Sequence, residues 1–434
     1  MLRNAASKVM WGGRATVFMV GLAVIGALLM VFLLAPPAHA FSTFTVNLTA
    51  DTPDANLSNA VCDVNPSASG NQCTLRAAIQ QANVSVGADT INFNISGTGV
   101  HTISPASALP VITKPVIING YSQPGSSVNK LAKGTNAKLL IEINGNNAGG
   151  ASGLFIVASD SVVKGLVINR FIFHAIRIQP EFGEGPAEVV TNVRIEGNFL
   201  GTAPTGTIAR ANGLEGVFIS DGSYNTIGGT SPDKRNLISG NNFIGVDIEA
   251  TAASGPISVG NTVQGNLIGT QKDGIHALGN GADGVQVIGD GAFGNRILSN
   301  SIFSNVGLGI DLVPPNGPTP NDSRDTDTGP NSLQNFPVLS SARTISGKTT
   351  IRGTLNSRPG AFYTLQFFSN PSGSNEGRRF IGQKVVSTNA NGNVAFTSFP
   401  ATAVPVGQTI TATATRNTTG DTSEFSAPRT VVAG

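Results

Sequence analysis

The densest group of oxygen ligands in the chain is Pro320-Asn-Asp-Ser-Arg-Asp-Thr-Asp-Thr-Gly-Pro-Asn331. Asp322, Asp325 and Asp327, with Asn321 and Asn331, could surround a hard cation such as calcium, which takes six to eight oxygens. No Glu closes the loop as in an EF-hand, so the alternative is a solvated polar linker. A second group is spread along the chain. Asp247, Asp311 and Arg177 each occupy the variable position of a short Gly-apolar-x-apolar segment. Strand alternation points all three outward, in one column with Phe218 and Gln286. Two carboxylates on one face could do acid–base work, and plain surface polarity is the competing reading. His174 and His276 read as solvated or structural. The only cysteines, Cys62 and Cys73, are close enough in sequence for a disulfide in an oxidising compartment.

Those candidates sit on repeats. Gly153-Leu-Phe-Ile, Ala175-Ile-Arg-Ile, Gly216-Val-Phe-Ile, Gly245-Val-Asp-Ile, Gly284-Val-Gln-Val and Gly309-Ile-Asp-Leu follow at spacings of 22, 41, 29, 39 and 25 residues. Asn198-Phe-Leu-Gly-Thr matches Asn266-Leu-Ile-Gly-Thr at an offset of 68. An Asn-x-apolar-x-Gly-Asn theme recurs at 192–198, 261–266 and, with Ser299 for Gly, 295–300. Each theme makes a short strand followed by a turn that needs left-handed backbone, and Asn side chains can bond along a stack. The pattern predicts a parallel β-helix, with spacings near 22 as one coil and those near 40 as two coils or one with a long loop. From about Val338 the strands lengthen and alternate, which predicts an antiparallel, immunoglobulin-like β-sandwich over 336–434.

Composition agrees with an all-β chain: 53 Gly in 434 residues and only 12% charged residues. The formal charge is +2, of which Arg3, Lys8 and Arg14 supply +3, leaving −1 for residues 41–434. So neutral a chain lacks the electrostatic footprint of a nucleic-acid binder. The same three cations precede an apolar run that ends in Ala38-His39-Ala40, the order of a secretory signal peptide over 1–40. An uncleaved membrane anchor is the alternative, and the membrane is reached only through this segment.

Cys73-Thr-Leu-Arg-Ala-Ala-Ile79, then Ala82-Asn83 and Asp89-Thr-Ile-Asn-Phe93, resembles a bacterial domain named for its Cys-Ser-Leu-Arg-Glu-Ala signature (CSLREA). Thr74 stands for the Ser and Ala77 for the Glu. The resemblance implies an exported, right-handed parallel β-helix protein of pectin-lyase-like fold, secreted or on a bacterial surface. It implies a capping region over 41–100 and the β-helix over 101–335. Leu75, Ala78, Ile79 and Ala82 fall on one face of a short helix that would cap the first coil. Pectin-lyase-like enzymes use clustered Asp with calcium, or paired aspartates with Gly-His-Gly, and this chain has neither an Asp-Asp pair nor Gly-His-Gly. The expected function is a non-catalytic surface, adhesion or glycan-contact scaffold meeting polysaccharide or cell-surface glycan. The alternative is a polysaccharide lyase or glycoside hydrolase.

Overall fold

The computed structural model describes residues 41–180, 189–251, 257–314 and 317–434, so the export segment lies outside the described residues. From Phe41 to Gly434 the chain forms one compact unit. No helix of the described residues is long and apolar enough to cross a membrane.

Three parallel sheets wind around one core as a β-helix. Sheet A has eight strands, from Thr43–Val46 to Arg296–Leu298; sheet B has seven, from His101–Ile103 to Ser301–Ile302; sheet C has six, from Leu154–Ile156 to Ile310–Val313. The recurring Gly-apolar-x-apolar segments are successive neighbours in sheet C. Each of their spacings is therefore one coil, and the long ones reflect loop length. Their apolar residues, such as Val217, Ile219, Val246, Ile248, Val285 and Val287, are fully buried.

The glycines that open these strands serve packing rather than left-handed turns. A Cβ on Gly245 would lie 2.5 Å from Gly284 O and 2.8 Å from Ile268 Cγ2. The turns that need positive φ lie one corner away, at Gly197 (65°) and Gly265 (71°), and Ser299 takes the same region at 53°.

Asparagines run along all three corners. Asn198, Asn236, Asn266 and Asn300 form one column, Asn212, Asn241, Asn280 and Asn305 a second, and Asn225, Asn261, Asn295 and Asn331 a third. Asn266 shows the unit. Its Oδ1 accepts from Asn236 Nδ2 (2.9 Å), and its Nδ2 donates to Asn300 Oδ1 (3.0 Å) and Ile227 O (2.8 Å). Turning corners inside a protein leaves backbone groups without strand partners, and these amides satisfy them.

At the N-terminal end, the helix Leu75–Val84 buries Leu75, Ala78, Ile79 and Ala82 in the core with Phe44, Val46, Ile91 and Phe93. Thr74 caps it by accepting from Ala77 N. Cys62 and Cys73 are bridged, with Cα atoms 5.2 Å apart. Arg76 grips Asp51 through Nε–Oδ1 (3.0 Å) and Nη2–Oδ2 (2.8 Å), and also donates to the carbonyls of Ser107 and Ala108.

At the other end, two four-stranded sheets form the sandwich, antiparallel except where Val432–Ala433 pairs parallel with the strand Val338–Ile345. Its own core includes Ile351, Tyr363, Leu365, Phe367 and Ile410. This module also closes the β-helix. Amides of the last coil donate into it: Ile297 N to Thr422 Oγ1 (3.1 Å), Ser299 N to Gln366 Oε1 (2.8 Å), Ser304 N to Glu376 Oε2 (2.7 Å) and Leu312 N to Glu424 Oε1 (3.2 Å). An open sheet edge is thereby covered.

Candidate functional site

The outer face of sheet C carries a ladder in strict register: Phe155, Arg177, Phe218, Asp247, Gln286 and Asp311. Alternation with the buried aliphatic positions fixes this direction. The expected column is therefore present, with Phe155 added to it. Its upper part is aromatic and cationic. The Arg177 guanidinium lies 4.5 Å from the centre of the Phe155 ring and donates from Nε to Gln179 Oε1 (2.6 Å). His174 stacks on Phe218, ring centroids 4.7 Å apart and nearly parallel. The His174 ring also bonds Glu215 through Nδ1.

The lower part is acidic. Asp247 and Asp311 are each 6% exposed, and one oxygen of each is buried without a hydrogen-bond partner among the described residues. Burial lifts the Asp247 carboxyl well above its ordinary range, helped by the charges of Glu215, Glu249 and Asp283. Burial likewise lifts Asp311 to about 7, with Asp283 and Glu424 adding to the shift. Desolvation and like charge both disfavour the ionised form. Near neutral pH the Asp311 carboxyl therefore keeps its proton part of the time, which gives this face a donor beside its acceptors.

Asp247 and Asp311 are two coils apart with Gln286 between them, so at about 4.8 Å per strand they stand roughly 10 Å apart. Arg177 is two coils from Asp247 on the other side and turns toward Phe155. The structure thus places all three on one strip without bringing them into contact. His276 lies elsewhere, exposed and bonded to Asp273.

Sequence reasoning missed Glu215, Asp283 and the inclusion of His174. All three stand immediately before the Gly or Ala that opens a sheet C strand, a position that is Ser152, Ile244 and Leu308 in the other three segments. Glu424 had no such signal, since it comes from the sandwich.

Asp322, Asp325 and Asp327 do converge, each offering a carboxylate oxygen within 4.8 Å of the others. Asp325 is buried, accepts from Asn335 N (2.8 Å) and Ser357 Oγ (2.8 Å), and burial lifts it to about 6. Burial also raises Asp322, but hydrogen bonds from Thr326 outweigh it and hold that carboxyl low. Asn321 and Asn331 are engaged otherwise: Asn321 Oδ1 accepts from Phe336 N (3.0 Å), and Asn331 Oδ1 accepts from Asn295 N (2.9 Å) as the end of a corner column.

No family model matches this chain, and no curated protein matches it. Among solved structures it is similar to the Dettilon tailspike protein at 11% identity and a TM-score of 0.17, over 87% of this chain and 95% of that one. A likeness of that size carries no argument.

Proposed function

We propose that this is an exported β-helix protein that contacts neutral glycan along the outer face of sheet C. The observation that carries the reading is the in-register ladder from Phe155 to Asp311. Aromatic faces and a cation supply stacking, while carboxyl, carboxylate and amide groups supply hydrogen bonds to hydroxyls. Acidic groups outnumber Arg177 along this face, and those that ionise repel a polyuronate, so neutral chains are favoured. Export to a bacterial surface or medium rests on the leader-like residues 1–40, the CSLREA-like segment and the Cys62–Cys73 bridge. Calcium held by Asp322, Asp325 and Asp327 belongs to the same reading, as a tie in the segment that leads into the sandwich.

A second reading, glycoside hydrolysis, is favoured by the raised Asp311 carboxyl. Its separation from Asp247, roughly 10 Å, lies just beyond the roughly 6.5–9.5 Å of inverting enzymes, so the pair would have to close slightly on a substrate. A panel of neutral and acidic polysaccharides, followed by affinity electrophoresis and reducing-end release, separates the two. Binding of a neutral glycan that Phe218→Ala weakens at least tenfold, with no product released, is expected. Neutral-glycan binding untouched by Phe218→Ala and Arg177→Gln would refute the site; product release abolished by Asp311→Asn would establish the enzyme.

A further inference from the structure

A second concave site lies away from sheet C. A cavity of about 620 Å3 opens between the corner that joins sheets A and B, the loop around Lys133 and the sandwich strand that begins at Arg379. Its volume falls in the roughly 300–1,000 Å3 range of small-ligand sites. Its charge is opposite to that of the sheet C face. Lys133, Arg235, Arg378 and Arg379 line it, against one carboxylate, Asp273. Asp273 is already engaged by His276 and by the amides of Ile275 and His276.

Among the described residues none of the four cations lies within ion-pair distance of a carboxylate. Arg235 is the informative one. It is half-buried, and its guanidinium donates only to carbonyls: Leu131 O (3.0 Å), Gly134 O (2.6 Å), Ala132 O (3.1 Å) and Gly265 O (3.0 Å). Those bonds fix the loop 131–134 in place and satisfy the donors, yet leave a positive charge balanced only by dipoles. With Lys133, Arg378 and Arg379 beside it, that charge gives the cavity a positive field that an anion would complete. The remaining wall is neutral, with Phe380 offering part of its ring and Gln264, Ser299 and Ser301 offering hydrogen-bonding groups. Ring face, hydroxyl-sized polar groups and concentrated positive charge together fit a sugar ring that carries an acidic group.

We propose that this cavity binds a short acidic saccharide, one bearing carboxylate or sulfate groups, independently of the sheet C face. The residues that meet the ligand's charge are Lys133 and Arg379; Arg235 stays with the loop it holds. The full chain is titrated calorimetrically with trigalacturonic acid, with a sulfated tetrasaccharide and with a neutral trisaccharide. At least one acidic probe should bind, more weakly as salt is raised, and the Lys133→Gln/Arg379→Gln variant should lose at least tenfold in affinity with its melting temperature unchanged. Which probe binds identifies carboxylate or sulfate as the recognised group.

Three results would each overturn the proposal: neither acidic probe binds, the double variant binds as well as the parent, or equimolar inorganic sulfate displaces the saccharide. Neutral-glycan binding and its loss in Phe218→Ala are read separately, so failure at one site leaves the other interpretable.

Discussion

Replacing Asp311 with Asn is expected to stabilise the protein at pH 8 and to change nothing at pH 3. Asp311 is buried beside Asp283 and Glu424, and its carboxyl is lifted from 3.8 to about 7. In the unfolded chain it ionises near pH 4. Below that value both states hold the proton, and the group adds no pH dependence. Between about pH 4 and 7 the unfolded chain releases its proton while the folded one keeps it. Stability then falls by about 1.4 kcal/mol for each pH unit. Over about three units the loss amounts to roughly 4 kcal/mol, and it stays constant above pH 7. An amide of the same shape cannot ionise, and its NH2 can donate toward Glu424 as the protonated carboxyl does. Urea unfolding followed by circular dichroism at pH 3, 4, 6 and 8 measures the difference between parent and variant. Other raised carboxyls, such as Asp247 and Asp325, act alike in both proteins and cancel. The two stabilities should diverge as pH rises, with unchanged denaturant slope. Parallel curves, or an Asn variant weaker at pH 8, would mean that Asp311 is ionised and well solvated in the fold.

Asn266→Ala removes the acceptor for Asn236 and the donor to Asn300 and Ile227, so a loss of roughly 3–5 kcal/mol is expected in the same unfolding assay. A loss below 1 kcal/mol would show that water replaces the column at no cost. Calcium should raise the melting temperature of the parent but not of Asp327→Asn, read by scanning calorimetry with and without chelator. An equal response in both would make the acidic segment a plain polar connection.

The sequence was most informative where one strand carries the message. Period-two alternation put Val246 and Ile248 inside and Asp247 outside, and a four-residue helical face put Leu75, Ala78, Ile79 and Ala82 into the core. It was weakest where residues 30–40 positions apart meet. Spacings of 41 and 39 could not be resolved into coils, because the corner loops differ in length while the strands do not. His174 and Glu215 are 41 residues apart and bond directly. Their contact follows from strand stacking, which no local pattern encodes. Arg76 is a further case: its partner Asp51 precedes the helix by a disulfide-held loop, so only the folded end region shows why an Arg stands there. Closure by the sandwich depends on Gln366 in the strand Phe362–Asn370 and on Glu376, Thr422 and Glu424 between strands, polar residues that no local pattern marks.

The asparagine columns also bear on how such a molecule changes size over generations. Each interior coil hands amide hydrogens to the coil that follows and receives them from the coil before, through the same atoms each time. Its two faces are therefore interchangeable with those of its neighbours, whereas the two ends are not. Coils can be copied or excised as whole units while the helix at one end and the sandwich at the other keep their fit. The 68-residue recurrence that links Asn198 to Asn266 through Asn236 spans two such units. Length is then the freely varied dimension, and with it the number of residues the outer strip of sheet C sets side by side.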